Sequence, residues 1–180
     1  MIFNYLALVN MQRNHITHYT TLDSVIGILL IAGNSYGVSL IKFKGEYEIH
    51  ELDSNWKHSK TYFSETVTQL QKYFKGELKQ FSVPTHFSGT KFQIAVISAL
   101  QSIPYGTTCS YADLAKTIGH PKAYRAVGSA NGMNPLPIIY PCHRVIASDG
   151  SIGGFSSDLR IKQTLLGMEA NFLAREKKII

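Results

Sequence analysis

At 180 residues the chain is long enough to bury a sizeable core as one large domain or two small ones, and its 44% hydrophobic content is ordinary for a globular protein. The longest apolar run, Val25 to Ala32, is too short to span a bilayer, and Met1–Leu8 shows neither a basic leader nor a small-residue cleavage site, so neither a membrane span nor a signal peptide is expected. The only cysteines, Cys109 and Cys142, form neither a disulfide scaffold nor a Cys-x-x-Cys metal site, so no metal is expected, and a reducing cytoplasm is the expected setting for a working thiol. The net charge of +6 is uneven: residues 1–88 hold eight Lys/Arg against seven Asp/Glu, and residues 89–180 hold ten against five. A basic second half suits a polyanionic partner, although many proteins with that charge never touch nucleic acid.

In chain order, Val25–Ala32 reads as a buried strand, Gly33-Asn34 as a turn, and Tyr36–Phe43 as the hairpin partner. Phe63, Val67, Leu70 and Phe74 share one face of a helix expected over Tyr62–Phe74, which Gly76 ends. Pro84–Gly89 reads as a linker, dividing the chain into domains at 1–88 and 89–180. The second half is mostly helical. A helix over Thr90–Gln101 is followed by the turn Ile103-Pro104-Tyr105-Gly106. Ser110 is a suitable N-cap, with Asp113 three residues on, for a helix over Tyr111–Ile118 that Gly119 ends. Lys122–Asn131 follows at once, giving a helix-turn-helix pattern, a weak signal by itself. Its second helix is small-sided at Ala123, Ala126, Gly128, Ser129 and Ala130 and carries one long cation, Arg125. Such a face suits either close helix packing or close approach to a partner. The expected class is α/β: a small N-terminal domain with a β-sheet and a helix, then a mostly helical C-terminal domain with a helix-turn-helix.

The densest chemistry lies in Pro141-Cys142-His143-Arg144-Val145. A thiol is a strong nucleophile only as thiolate, and a neighbouring base or cation raises that fraction; His143 and Arg144 offer one of each. Side chains adjacent in a helical turn diverge, so a water molecule is expected to bridge Cys142 and His143. Glu169 sits in an expected helix over Ser157–Leu173 among Leu165, Leu166, Phe172 and Leu173. An acid in an apolar stripe is either paired or turned outward, and periodicity alone favours the exposed reading.

The run Asn134-Pro135-Leu136-Pro137-Ile138-Ile139-Tyr140-Pro141-Cys142-His143-Arg144-Val145 closely resembles the active-site signature of the O6-alkylguanine-DNA alkyltransferases. Ile103-Pro104-Tyr105-Gly106 with Ser110-Tyr111, Arg125-Ala126-Val127-Gly128, and Leu165-Leu166 with Glu169 fit that family at matching spacing, over roughly Thr90 to Phe172. The resemblance implies transfer of an alkyl group, mainly methyl, from guanine O6 in double-stranded DNA, with O4-alkylthymine as a second substrate, irreversibly onto Cys142 of a monomer. It needs no cofactor. It implies that His143 relays the thiol proton and that Glu169 orients His143. Tyr111 would donate to the leaving base, and Arg125 would fill the base stack after the lesion is flipped. Arg125, Ala126, Ser129, Ala130 and Tyr111 would meet DNA, Asn134 would act as a hinge, and the Val145 carbonyl, Ser156 amide and Phe155 would line the base pocket.

There are departures from the family pattern. Phe155 stands where Tyr is frequent, Ser157-Asp158 replaces a more usual Gly-Gly, and Ile97 and Thr164 stand where tryptophans are familiar, which bears on pocket size. Three alternatives share parts of this pattern. They are a noncatalytic lesion-binding relative, which would lack the cysteine; a cysteine hydrolase using Cys142, His143 and Glu169; and a regulator reading DNA through the helix pair, for which the recognition helix offers few base-reading side chains.

Overall fold

A computed structural model describes residues 15–176; the Met1–Leu8 reading therefore lies outside the described residues. Strands β1 (His18–Ser24), β2 (Gly27–Asn34) and β3 (Gly37–Phe43) form an antiparallel meander, and β4 (Lys57–His58) adds in parallel to β1, giving the order β3-β2-β1-β4. Leu29, Leu30, Ile31 and Ala32 are fully buried, as expected for a central strand packed on both faces. The sequence reading misplaced the turns. Val25-Ile26 form the first turn, Gly33-Asn34 belong to β2, and Ser35-Tyr36 form the second turn, where the Asn34 side chain accepts from the Tyr36 amide at 2.9 Å. The cause is β1, which was not anticipated. Its mostly polar sequence buries only Thr20 and Leu22.

Helix α1 (Ser64–Phe74) covers the sheet, rotated from the expected face. Phe63, Thr66, Leu70 and Tyr73 are buried, while Val67 and Phe74 are only partly so. This rotation aims Tyr73 across the molecule.

The segment read as a linker is fixed in place. The Val38 amide donates to the Pro84 carbonyl at 3.0 Å, and the His86 amide donates back to Val38 at 2.9 Å. Further along β3, the Ile41 amide donates to the Pro135 carbonyl at 2.8 Å, so the edge of the N-terminal sheet holds the segment leading to Cys142. The buried apolar side chains of the two halves make one continuous core.

In the second half, α2 (Lys91–Leu100) starts at a capping box between Thr90 and Gln93. Helices α3 (Tyr111–Thr117) and α4 (Tyr124–Gly132) are the helix-turn-helix pair, with Ser110 capping α3 and Gly119 at φ 77° closing the turn between them. Strands β5 (Cys109–Ser110) and β6 (Val145–Ile146) pair in parallel and tie the start of α3 to the end of the cysteine turn. Helix α5 (Leu159–Glu176) closes the core. No helix among the described residues is long and apolar enough to cross a membrane.

Gly37 tests the contact between halves. Its φ is +138°, and a Cβ there would lie 2.4 Å from the Pro84 carbonyl oxygen. Gly37→Ala is expected to lose about 2 kcal/mol or more in denaturant unfolding.

Candidate active site

Cys142, His143 and Arg144 form a single 3-10 turn, and all three are buried. Three prolines, Pro135, Pro137 and Pro141, and a left-handed Ile138, φ 75°, keep the preceding segment out of helix and strand. A β-branched residue in that region costs about 1–3 kcal/mol, so the surroundings must hold it there. Asn134 does much of this. Its side-chain amide donates to the Tyr140 carbonyl at 2.7 Å, and its side-chain oxygen accepts from the Leu136 amide at 3.0 Å. The Asn131 side chain on α4 reaches the Cys142 carbonyl at 3.4 Å, linking the helix-turn-helix to the nucleophile.

Glu169 is fully buried, and five donors surround its carboxylate. Oε1 accepts from His143 Nε2 at 2.9 Å, Arg144 Nη2 at 2.9 Å and the Tyr73 hydroxyl at 2.7 Å. Oε2 accepts from Arg144 Nε at 2.9 Å and the Gly106 amide at 2.9 Å. Burial alone would raise its pKa, but the hydrogen bonds from His143 and Arg144 outweigh that and hold the carboxyl at about 2. An ionised carboxylate only accepts, so Nε2 of His143 must carry the proton and Nδ1 is left as the basic nitrogen. Nδ1 is buried, with no protein hydrogen-bond partner among the described residues.

Two electrostatic expectations are corrected. Arg144 is not the cation beside the thiol. Its guanidinium is spent on Glu169 and on the Ile103 carbonyl, 2.7 Å away, and it lies over the Tyr105 ring. Nor is the thiol poised as a thiolate at rest. Burial pushes Cys142 up to about 11, only partly opposed by Asn134 and the Lys162 ammonium. Burial likewise lowers His143, despite Glu169, with Arg144 and Lys162 adding to the decrease. The resting pair is therefore a neutral thiol and a neutral imidazole.

Lys162 is the residue that sequence reasoning missed beside the thiol. It is fully buried, and its Nζ donates to the Val145 carbonyl at 2.7 Å and the Gly154 carbonyl at 3.0 Å. The signal was available, since Lys162, Leu165 and Glu169 fall on one buried stripe of α5.

Tyr111 and the loop before α5 pack together. The Tyr111 ring packs against Gly128 and Gly153, where added Cβ atoms would lie 3.7 and 3.4 Å from it, and its hydroxyl reaches the Gly154 carbonyl at 3.4 Å. Burial, and then the charge that would develop on Cys142, raise the phenol's pKa, so it remains a donor. Phe155 faces Phe43 of β3, ring centroids 6.1 Å apart. Ser156 is exposed on the same loop. Ser157 donates to the Glu46 carboxylate of the N-terminal half, and the Asp158 side chain accepts from the Arg160 amide at 2.9 Å at the start of α5. The Ser157-Asp158 departure thus ties down the loop and caps a helix. Thr164 is exposed, bonded back to Arg160, and Ile97 is in the core.

On α4, Arg125, Ala126 and Ser129 are exposed. Ala130 is not: at 2% exposure it packs inward, because the helix turns that position to the core. The exposed face instead begins with Tyr124, whose ring lies 5.8 Å from the Arg125 guanidinium carbon. Among the described residues, no group of three or more His, Cys, Asp or Glu side chains could hold a metal ion.

Comparison with known proteins gives the same picture. The family model described as 6-O-methylguanine DNA methyltransferase, ribonuclease-like domain, matches residues 17–87, and that described as 6-O-methylguanine DNA methyltransferase, DNA binding domain, matches 91–171. The methylated-DNA–protein-cysteine methyltransferase of Methanosarcina barkeri is 46% identical over 157 residues, covering 87% of this chain and 99% of its own. The Mycobacterium tuberculosis O6-methylguanine methyltransferase structure superposes with a TM-score of 0.79 at 43% identity, covering 86% of this chain and 93% of that one. The same organism's OGT in complex with DNA gives 0.78 at 42% identity, covering 86% and 94%. A buried Cys-His-Glu site behind a helix-turn-helix, on a chain matched over both halves, places this protein among the DNA-repair alkyltransferases. It belongs to the methylated-DNA–protein-cysteine methyltransferase family.

The buried carboxylate gives a pH signature. Folded Glu169 titrates at about 2, against 4.5 ordinarily, so its stabilising contribution is complete above about pH 4.5 and is lost as pH falls towards 2. His143, lowered below 6.5, acts with the same sign, because the unfolded chain gains its proton first. Glu169→Gln is expected to flatten the acid decline in melting temperature between pH 4.5 and 2. It should also cost about 3–5 kcal/mol at neutral pH, where Arg144 loses its counter-charge.

Proposed function

We propose that this chain removes alkyl groups, mainly methyl, from O6 of guanine in double-stranded DNA, accepting each on Cys142. The observation that carries this reading is the buried thiol next to an imidazole whose only basic nitrogen is Nδ1, with the opposite nitrogen held by Glu169. In the resting site the thiol keeps its proton. With the lesion bound, that proton passes to Nδ1, through a bridging water, and the Glu169 carboxylate and Lys162 ammonium steady the resulting imidazolium and thiolate. The thiolate displaces guanine from the alkyl carbon: the S–C bond forms as the C–O6 bond breaks. The electron pair stays on the base, which takes up one proton and leaves as the ordinary lactam. Tyr111 donates a hydrogen bond as charge develops on the base. The thioether has no exit route, so each chain acts once.

DNA engagement rests on α4. Its exposed small-residue face allows close backbone approach, and Arg125 is free to enter the stack when the base swings out. Asn134 joins α4 to the cysteine turn, and the Val145 carbonyl, Ser156 amide and Phe155 border the base. O4-alkylthymine is the second substrate of this reading, the working form is a monomer, and the setting is the reducing cytoplasm. The functional halves divide at 88/89, between the two matched family domains.

Mass spectrometry after incubation with methylated duplex is expected to find one methyl group per chain, on Cys142 and not on Cys109. Turnover beyond one equivalent, or a label surviving in Cys142→Ala, overturns the reading. Losing a stacking contact costs about 1–3 kcal/mol, so Arg125→Ala should slow duplex repair on the order of tenfold. Reaction with free O6-benzylguanine, which needs no flipping, should change far less. Duplex affinity should fall with salt at about 0.9 log-log units per neutralised phosphate, with little sequence preference.

A further inference from the structure

Tyr73 comes from α1, in the half of the chain that carries neither the thiol nor the helix-turn-helix. It is fully buried, and its ring is boxed by Phe74, Phe81 and Tyr105 at centroid distances of 5.4, 5.5 and 5.9 Å. Packing alone would suit a phenylalanine. The hydroxyl, however, donates to Glu169 Oε1 at 2.7 Å, the same oxygen that holds His143, and lies 3.4 Å from His143 Nε2. A buried hydroxyl is costly to place in a core unless it bonds, and among the described residues this one bonds only to the relay.

We propose that Tyr73 is a positioning residue of the proton relay, through which the N-terminal half fixes the Glu169 carboxylate and sets the ease with which His143 takes the thiol proton. The assignment rests on the relay read in the preceding section. Oε1 divides its accepting capacity among His143, Arg144 and Tyr73. The phenol does not ionise in this role, because burial and the adjacent carboxylate raise its pKa well above the ordinary value. It therefore remains a donor that competes with the imidazole for negative charge. Without the hydroxyl, Oε1 would concentrate its charge on the imidazole and stabilise the protonated ring. The other charged groups acting on His143 are Arg144 and Lys162, which disfavour its protonation; Cys142 precedes it in the chain. None of them is supplied by α1, so Tyr73 is the route by which the N-terminal half can tune this base.

The test is Tyr73→Phe, with Phe81→Leu as a packing control that leaves the hydroxyl in place. Thermal melts first establish that both variants fold. Imidazole 15N shifts then follow His143 against pH, and single-turnover methyl transfer is measured over the same range. Tyr73→Phe should move the His143 midpoint upward and carry the acid limb of the transfer rate with it. Its plateau should fall on the order of tenfold, as for partners that orient a functional histidine in other sites. Phe81→Leu should move neither the midpoint nor the limb. An unmoved His143 midpoint in folded Tyr73→Phe, or an equal shift in Phe81→Leu, overturns the assignment. The NMR readout needs no DNA, so a wild type inert towards methylated duplex would sink the proposed function separately. A moved midpoint in Tyr73→Phe would still support the role of Tyr73.

Discussion

Glu169 brings a negative charge into a site with no exposure to water, and an ion so placed is tolerated only where donors replace its hydration. Here the donors come from three parts of the chain: His143 and Arg144 from the cysteine turn, the Gly106 amide from the turn after α2, and the Tyr73 hydroxyl from the N-terminal half. Much of the architecture serves to bring these together. The 3-10 turn presents His143 and Arg144 on one side, and α5 runs alongside so that its stripe delivers Lys162 and Glu169. The turn before α3 curls back at Gly106, φ 71°, where a Cβ would strike Leu173 at 2.3 Å.

The consequence for chemistry is a site that rests uncharged at the thiol. Burial works against the thiolate and the imidazolium alike; Lys162 favours the thiolate and Glu169 favours the imidazolium. A thiol whose ionisation burial disfavours is less reactive towards electrophiles and oxidants than an exposed one, which matters for a group that can be used only once.

The N-terminal sheet is not a passive neighbour. Its β3 edge binds Pro135 at one point and Pro84 at another, Phe43 meets Phe155, and Glu46 holds Ser157. These contacts fix both the segment entering the cysteine turn and the loop before α5. The Cys142–His143–Glu169 cluster of this chain is therefore held by both halves.

The sequence by itself determined the local pieces: the cysteine segment, the capped helices around the helix-turn-helix, the central apolar strand, and an acid embedded in a leucine stripe. Those follow from short-range rules of turn chemistry, capping and periodicity. Strand β1 escaped because its alternation is polar and its burial comes from neighbours on both sides. Ala130 was assigned outward because composition shows that a helix face is small without showing which way it points. Only the tertiary structure decided the electrical state of the site. Whether Arg144 faces the thiol or Glu169, and which helix supplies the last donor, depend on contacts between residues 25 to 96 positions apart. No local pattern encodes them, because a side chain's pKa is set by what folding places around it rather than by its neighbours in the chain.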